Sequence, residues 1–203
     1  MIEIYLFINP IDESSLFIEK KFLNLINQEK VKVDFRMIPL LNPRVLQNFM
    51  IAKELPVHDL ALRNHLFQAT YSAALDYKTV QLQGKRLGHE FLIELQKQVG
   101  SNKKQYSTHL VESILEALHV DMELFQSDRR SELVVDFFKL DQQVAHEMGI
   151  EDYSNAVIFN YNCDRDFGVL IDANTPVDLI IDLFKTDCIE NTLTQHSDRL
   201  HLY

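Results

Sequence analysis

Ile2-Glu3-Ile4-Tyr5-Leu6-Phe7-Ile8-Asn9-Pro10-Ile11-Asp12-Glu13-Ser14-Ser15-Leu16-Phe17 is the stretch whose reading decides the fold. Ile2 to Ile8 is a near-continuous apolar run with β-branched and aromatic residues, the pattern of a buried strand. Asn9-Pro10 breaks it. A helix is predicted from Asp12: Asp12 suits the N-cap and Ser15 lies three residues on. Leu16, Phe17, Phe22, Leu23, Leu25 and Ile26 give that helix a broad apolar face. After the turn at Gln28-Glu29-Lys30, Val31, Val33, Phe35 and Met37 alternate with Lys32, Asp34, Arg36 and Ile38. That period of two predicts a strand ending at Pro39. Strand, helix, strand is a βαβ unit, which predicts parallel strands joined by a right-handed crossover.

Between Pro43 and about Met148 the period of two disappears. Asn42-Pro43 opens a short helix toward Glu54. A long helix is predicted from His58, with Leu62, Leu66, Ala69, Ala73, Tyr77 and Val80 at three-to-four spacing. Gly84 and Gly88 interrupt or kink it, Phe91, Leu92, Leu95 and Val99 continue it, and Gly100 is the expected stop. Ser107 or Thr108 caps the next helix, with Leu110, Ile114 and Leu118 inside. After a short turn, Leu133, Phe137, Leu140, Val144 and Met148 form a stripe expected in the core. Strands return at Ala156–Tyr161 and Phe167–Ile171, with a hairpin turn at Cys163-Asp164-Arg165-Asp166. Thr175-Pro176 starts a last helix with Thr175 as N-cap and Leu179, Ile180, Leu183 and Phe184 inward. The polar tail from Asp187 is expected to be loosely ordered, with a last helical turn. The organisation predicted is α/β with a helical insertion.

Composition excludes several function classes. The 203 residues carry 20 Lys and Arg against 30 Asp and Glu, a formal charge of -10. A chain that acidic is repelled by phosphate backbones, so nucleic acid is not an expected partner. No run approaches the roughly 18–20 apolar residues of a membrane span, and the N-terminus has no basic secretory n-region. The two cysteines, Cys163 and Cys188, are too few for a disulfide framework or a zinc site, so a cytoplasmic location with reduced thiols is expected. None of the eight histidines sits in a His-Glu-x-x-His frame, and no metal site is expected. His89-Glu90 and His146-Glu147 are read as helical surface pairs, and Gly84 and Gly88 as a kink or close packing rather than a phosphate loop.

The order βαβ, helices, ββα, together with Ile4 to Ser15, resembles the thioredoxin fold with the helical insertion of the DsbA family, the dithiol-disulfide isomerase-like proteins. Leu62-Arg63-Asn64, Ala74-Leu75-Asp76-Tyr77-Lys78 and Gln83 to Leu92 resemble the ClpXP adaptors of the SpxH/YjbH family. The resemblance implies a mixed four-stranded sheet. It implies a discontinuous thioredoxin-like domain over 1–42 and 150–186, an inserted helical domain over 43–149 and a polar tail over 187–203. The Cys- and His-rich leader that some adaptors carry is expected to be absent.

The same resemblance locates a site and two departures from it. Family members carry Cys-x-x-Cys at the start of the first helix; here Asp12 and Ser15 stand at the two cysteine positions. The family's cis-proline before its third core strand is replaced by Asn155. Disulfide exchange needs a thiolate that attacks sulfur. A carboxylate at Asp12 keeps the negative charge that a helix N-terminus favours, but cannot form a mixed disulfide. Asp12, Glu13, Ser14, Ser15 and Asn155 are therefore read as a vestigial active site with no catalytic residue. Asp12, Glu13, Tyr153, Ser154 and Asn155 are expected to form an exposed polar patch that meets a protein partner non-covalently. Implied partners are ClpXP and a regulator such as Spx, with no cofactor and no enzymatic activity. The alternative is a glutathione-dependent transferase or isomerase of the DsbA-like kappa type, with Ser14 or Ser15 polarising the glutathione thiolate. Residual dithiol-disulfide chemistry through a remote cysteine ranks last.

Overall fold

The structure, a computed structural model, describes residues 1–163, 167–185 and the backbone of 201–202. Cys188, most of the polar tail, and Asp164, Arg165 and Asp166 of the expected hairpin turn lie outside the described residues. Strands β1 (Ile2–Ile8), β2 (Val33–Pro39), β3 (Asn155–Asn160), β4 (Val169–Asp172) and β5 (His201–Leu202) form one mixed sheet in the order β2-β1-β3-β4-β5. The first four are the expected sheet. The two-residue β5 is a strand where a helical turn was expected; it pairs antiparallel with β4, His201 opposite Leu170. β1 and β3 are antiparallel with Ile4 opposite Ile158 and Phe7 opposite Asn155, and β3 pairs antiparallel with β4.

The chain clusters into two compact units: Met1–Ile8, Phe17–Ile38 and Ser154–Tyr203 in one, Asn9–Leu16 and Pro39–Tyr153 in the other. In the sheet unit, alternation places Ile2, Ile4 and Leu6 fully inside, with Ala156 and Ile158 of β3 and Val169 and Ile171 of β4 also buried. Helix α1 (Glu13–Glu29) buries Ile18, Phe22 and Leu25, and the Phe22 ring lies 5.9 Å from that of Phe35 on β2. Each such side chain contributes about 1.5–3 kcal/mol by leaving water. Phe17 is an exception: it is 69% exposed, one step off the buried face. Asn160, although polar, is buried because its amide donates to the Leu183 and Lys185 carbonyls, closing the end of the last helix. That helix spans Val177–Phe184 and Pro176 holds its cap position. Thr175 is not the cap as expected; its hydroxyl is tied to Asp172, whose backbone N–H and carboxylate it bonds.

In the helical unit, α2 (Pro43–Ala52) starts at Asn42, whose side chain accepts from Val45 N at 2.8 Å. Then come α3 (Leu60–Leu82), α4 (Lys85–Gln96), a π-helical turn over Lys97–Ser101, α5 (Thr108–Ala117), α6 (Met122–Arg129) and α7 (Glu132–Glu147); the helix closing the sheet unit is α8. Gly84 separates α3 from α4, whereas Gly88 lies inside α4 where a Cβ would come within 3.1 Å of Gln81 Cα. Gly100 is not a stop, because the π turn runs through it. Ser107 is the cap of α5. Helix α6 occupies what was read as a short turn; Asp121 caps it by accepting from Leu124 N.

The α7 stripe requires a correction. Leu133 and Leu140 are 51% and 53% exposed, and the buried face carries Val134, Phe138 and Ala145 instead. Asp141 interrupts that face in sequence, which hid it, and in the structure it is drawn inward by Lys78 of α3 at 2.5 Å. Gln142 fixes the same rotation by donating to Pro39 O and accepting from Leu41 N. His89 is half-buried rather than a surface residue; burial, and then Lys85, hold its imidazole down at about 4.

Candidate functional site

The start of α1 is shaped by a turn that the sequence dictates. Asn9 and Pro10 take the first two places of a β-turn, closed by Asp12 N donating to Asn9 O at 3.2 Å. Asn9 Oδ1 accepts from Ile11 N, so its own side chain reinforces the turn. Asn9 N donates to Ser15 Oγ at 2.9 Å, and Asn9 O also accepts from Gln96 Nε2 at 3.3 Å. Asn9 and Ser15 are both buried. Ser15 therefore locks the turn to the helix and is covered from solvent.

Asp12 lies at the helix start with only 2% of its surface exposed. This corrects the expected exposed patch, because two groups cover the carboxylate. Lys53, at the C-cap of α2, brings its ammonium to 2.9 Å from Asp12 and 3.1 Å from Glu13. The Tyr153 hydroxyl hydrogen-bonds Asp12 as well. Burial, reinforced by the Asp12 charge, pushes the Tyr153 phenol well above its usual range. For Lys53 burial acts against the ammonium, but hydrogen bonds and charge from Asp12 and Glu13 outweigh it and raise its pKa. Ser14 donates its hydroxyl proton to Asp12 Oδ2. Helix α2 also holds the segment bearing Tyr153, through Asn48 donating to Asp152 at 2.6 Å.

The close packing extends to the backbone. A Cβ on Gly100 would lie 2.6 Å from Glu13 N, inside any allowed contact, so the π turn presses its bare Cα against the first residue of α1. The arrangement is a carboxylate fixed at a helix N-terminus by a lysine, a tyrosine and a serine. It contains no thiol: the one free cysteine among the described residues, Cys163, donates to Asn160 O at the end of β3.

The structure thus brings together Asp12, Glu13, Ser14, Ser15 and Tyr153, and of these Glu13 and Ser14 are exposed. Ser154 and Asn155 belong to the sheet unit. Ser154 has a positive φ of 62° and donates its N–H to Phe7 O, and Asn155 opens β3. Among the described residues no peptide bond is cis. For the glutathione reading, the Ser14 proton is committed to Asp12 and Ser15 has no exposed surface. No group of His, Cys, Asp and Glu among the described residues could hold a metal ion. Lys53, Gln96 and Gly100 were missed by sequence reasoning. Lys53 carries no motif and joins Asp12 only through folding, and Gly100 read as ordinary helix punctuation.

A family model described as Thioredoxin matches residues 5–182. The ClpXP adapter protein SpxH of Bacillus subtilis is 31% identical over 91 residues, 44% of this chain and 30% of that protein. The ClpXP adapter protein SpxH of Staphylococcus saprophyticus is 26% identical over 161 residues, 78% of this chain and 56% of its own length. The chain thus spans about a third to just over half the length of these relatives. Among solved structures, a protein-disulfide-isomerase-like chain of Nitrosomonas europaea superposes with a TM-score of 0.66 at 14% identity, covering 96% of this chain and 98% of that one. The cytosolic disulfide reductase DsbM of Pseudomonas aeruginosa superposes with a TM-score of 0.60 at 11% identity, covering 90% and 95%. Both are DsbA-like folds, so the architecture is shared. No helix among the described residues is long and apolar enough to cross a membrane.

Proposed function

The chain belongs to the thioredoxin family, and from that premise we propose that it is a redox-inactive, non-covalent protein-binding module serving as an adaptor for the ClpXP protease. The regulator it presents would be of the Spx kind, and the setting cytoplasmic. The observation that carries this reading is the helix start, where a thioredoxin-fold enzyme needs a reactive thiolate. Here that place holds Asp12, buried and fixed by Lys53 and Tyr153. A carboxylate so held stabilises the helix N-terminus but cannot exchange disulfides. Similarity to SpxH proteins supplies the partner class. What the site offers a partner is Glu13, Ser14 and the exposed side of Lys53, rather than Asp12 itself.

The test uses the purified full chain with ClpXP and an Spx-type regulator. Degradation of the regulator is expected to accelerate when the chain is added, with no reduction of insulin disulfides above background. The adaptor reading fails if degradation is unchanged and the chain captures neither ClpX nor the regulator. Insulin turnover lost in Cys163→Ser or Cys188→Ser would restore thiol chemistry. A rise in melting temperature with glutathione, lost in Ser14→Ala, would restore the transferase alternative.

A further inference from the structure

Away from the helix start, the helical unit carries an open cavity of about 390 Å³ among α3, α5, α6 and the segment carrying Tyr106. That volume is in the range of small-ligand sites. Asp76 of α3, buried, lines it. One carboxylate oxygen of Asp76 accepts from Arg129 Nε at 2.6 Å and the other from the Tyr106 hydroxyl at 2.5 Å. Ser72 in turn hydrogen-bonds Tyr106. This network fixes the Arg129 guanidinium by one edge. Its Nη2 reaches the Ser72 carbonyl only at 3.4 Å, and its Nη1 has no hydrogen-bond partner among the described residues. A guanidinium has five N–H donors in a planar fork, so Arg129 brings unspent donors to the cavity it lines.

Three further features narrow the ligand. Arg130 lines the cavity, is exposed, and has no ion pair among the described residues. Thr108, in the first turn of α5, lines the cavity too, where helix N–H groups favour negative charge. Val111, Met122 and Phe125 supply an apolar wall. Against these stands Glu112, so that the lining carries two carboxylates, Asp76 and Glu112, and two guanidiniums. That balance, a formal charge of zero, disfavours a phosphate dianion, and the planar N–H fork of Arg129 matches the two oxygens of a single carboxylate.

We propose that this cavity binds a monoanionic carboxylate attached to an apolar group, the carboxylate on the Arg129–Arg130 side and the apolar group against Val111, Met122 and Phe125. The chemistry is shared by a free acyl amino acid and by the C-terminus of a peptide ending in an apolar residue. The proposal is independent of the adaptor reading, since it involves none of the residues at the α1 start.

The test is calorimetric titration of the full chain with N-acetyl-leucine, N-acetyl-leucinamide, inorganic phosphate, and a hexapeptide ending in leucine as free acid and as amide. The free acids are expected to bind and the amides to bind at least tenfold more weakly, the cost of a hydrogen bond to a charged group. A hexapeptide at least tenfold tighter than N-acetyl-leucine identifies a chain terminus as the occupant, and equal affinity a small acid. Arg129→Gln alone would strand the Asp76 charge in the interior, so the paired variant Asp76→Asn with Arg129→Gln is used and is expected to abolish binding. Arg130→Gln, exposed and unpaired, keeps the fold and is expected to weaken binding about tenfold. Amides that bind as well as acids, phosphate that binds more tightly than N-acetyl-leucine, or affinity unchanged in folded Arg130→Gln would each overturn the proposal.

Discussion

Replacing Lys53 by Met removes the charge that answers Asp12 while keeping the length of the side chain. Asp12 is 2% exposed and Lys53 31% exposed. Breaking a fully buried pair costs about 3–5 kcal/mol, because the surviving charge is left uncompensated. Here the lysine end is open to water and Tyr153 and Ser14 still hydrogen-bond the carboxylate, so about half that loss, roughly 2 kcal/mol, is expected. Asp12→Asn keeps an acceptor for both hydroxyls and leaves the half-exposed Lys53 free to solvate, so it should cost about 1 kcal/mol. The double variant should then lose less than the sum of the two, with a coupling energy of about 1 kcal/mol or more. Urea denaturation at pH 7 provides the measurement, with midpoints compared at unchanged slope. A Lys53→Met variant within about 0.5 kcal/mol of the parent, or strictly additive variants, would refute the idea that this pair holds the helix start.

Three other outcomes follow from the same geometry. Asp12→Asn should bring the Tyr153 phenol down toward its ordinary range, read by absorbance titration of tyrosine, since the Asp12 charge helps raise it; an unchanged midpoint would mean burial alone sets it. Gly100→Ala should cost about 1–3 kcal/mol, because the new Cβ meets backbone at 2.6 Å, whereas Gly88→Ala, at 3.1 Å, should cost less; denaturation midpoints in the reverse order would contradict the packing. Burial, only partly offset by Lys78, raises the Asp141 carboxyl to about 6 from 3.8. A raised folded-state value means that the native state binds more protons between these limits, so its contribution to stability is present below about 4 and is lost as pH rises through about 6. Relative to Asp141→Asn combined with Lys78→Met, the parent should lose stability over that window, and a flat difference would show that the pair does not titrate there.

The sequence determined the first four strands, because apolar runs and a period of two are local signals that a buried sheet face enforces, whereas β5 and the order of the strands in the sheet came only from the folded chain. It determined the Asn9-Pro10 turn and the absence of Cys-x-x-Cys, since both are written in adjacent residues. It also placed Ser107 and Asn42 near helix starts, where side-chain oxygens must satisfy free N–H groups. Tertiary structure decided what periodicity could not rank. The buried face of α7 was hidden because Asp141 makes it look polar until Lys78, far away in sequence, supplies the opposite charge. The exposure of Asp12 was misjudged for the same reason: a carboxylate beside Glu13 reads as surface until Lys53 and Tyr153 close over it. Gly100 read as a helix stop, yet its lack of a side chain serves a backbone contact with Glu13, which only the folded chain brings within reach. Local chemistry fixes which elements form, whereas long-range pairing of charges and close backbone approach fix which faces and which side chains remain available to a partner.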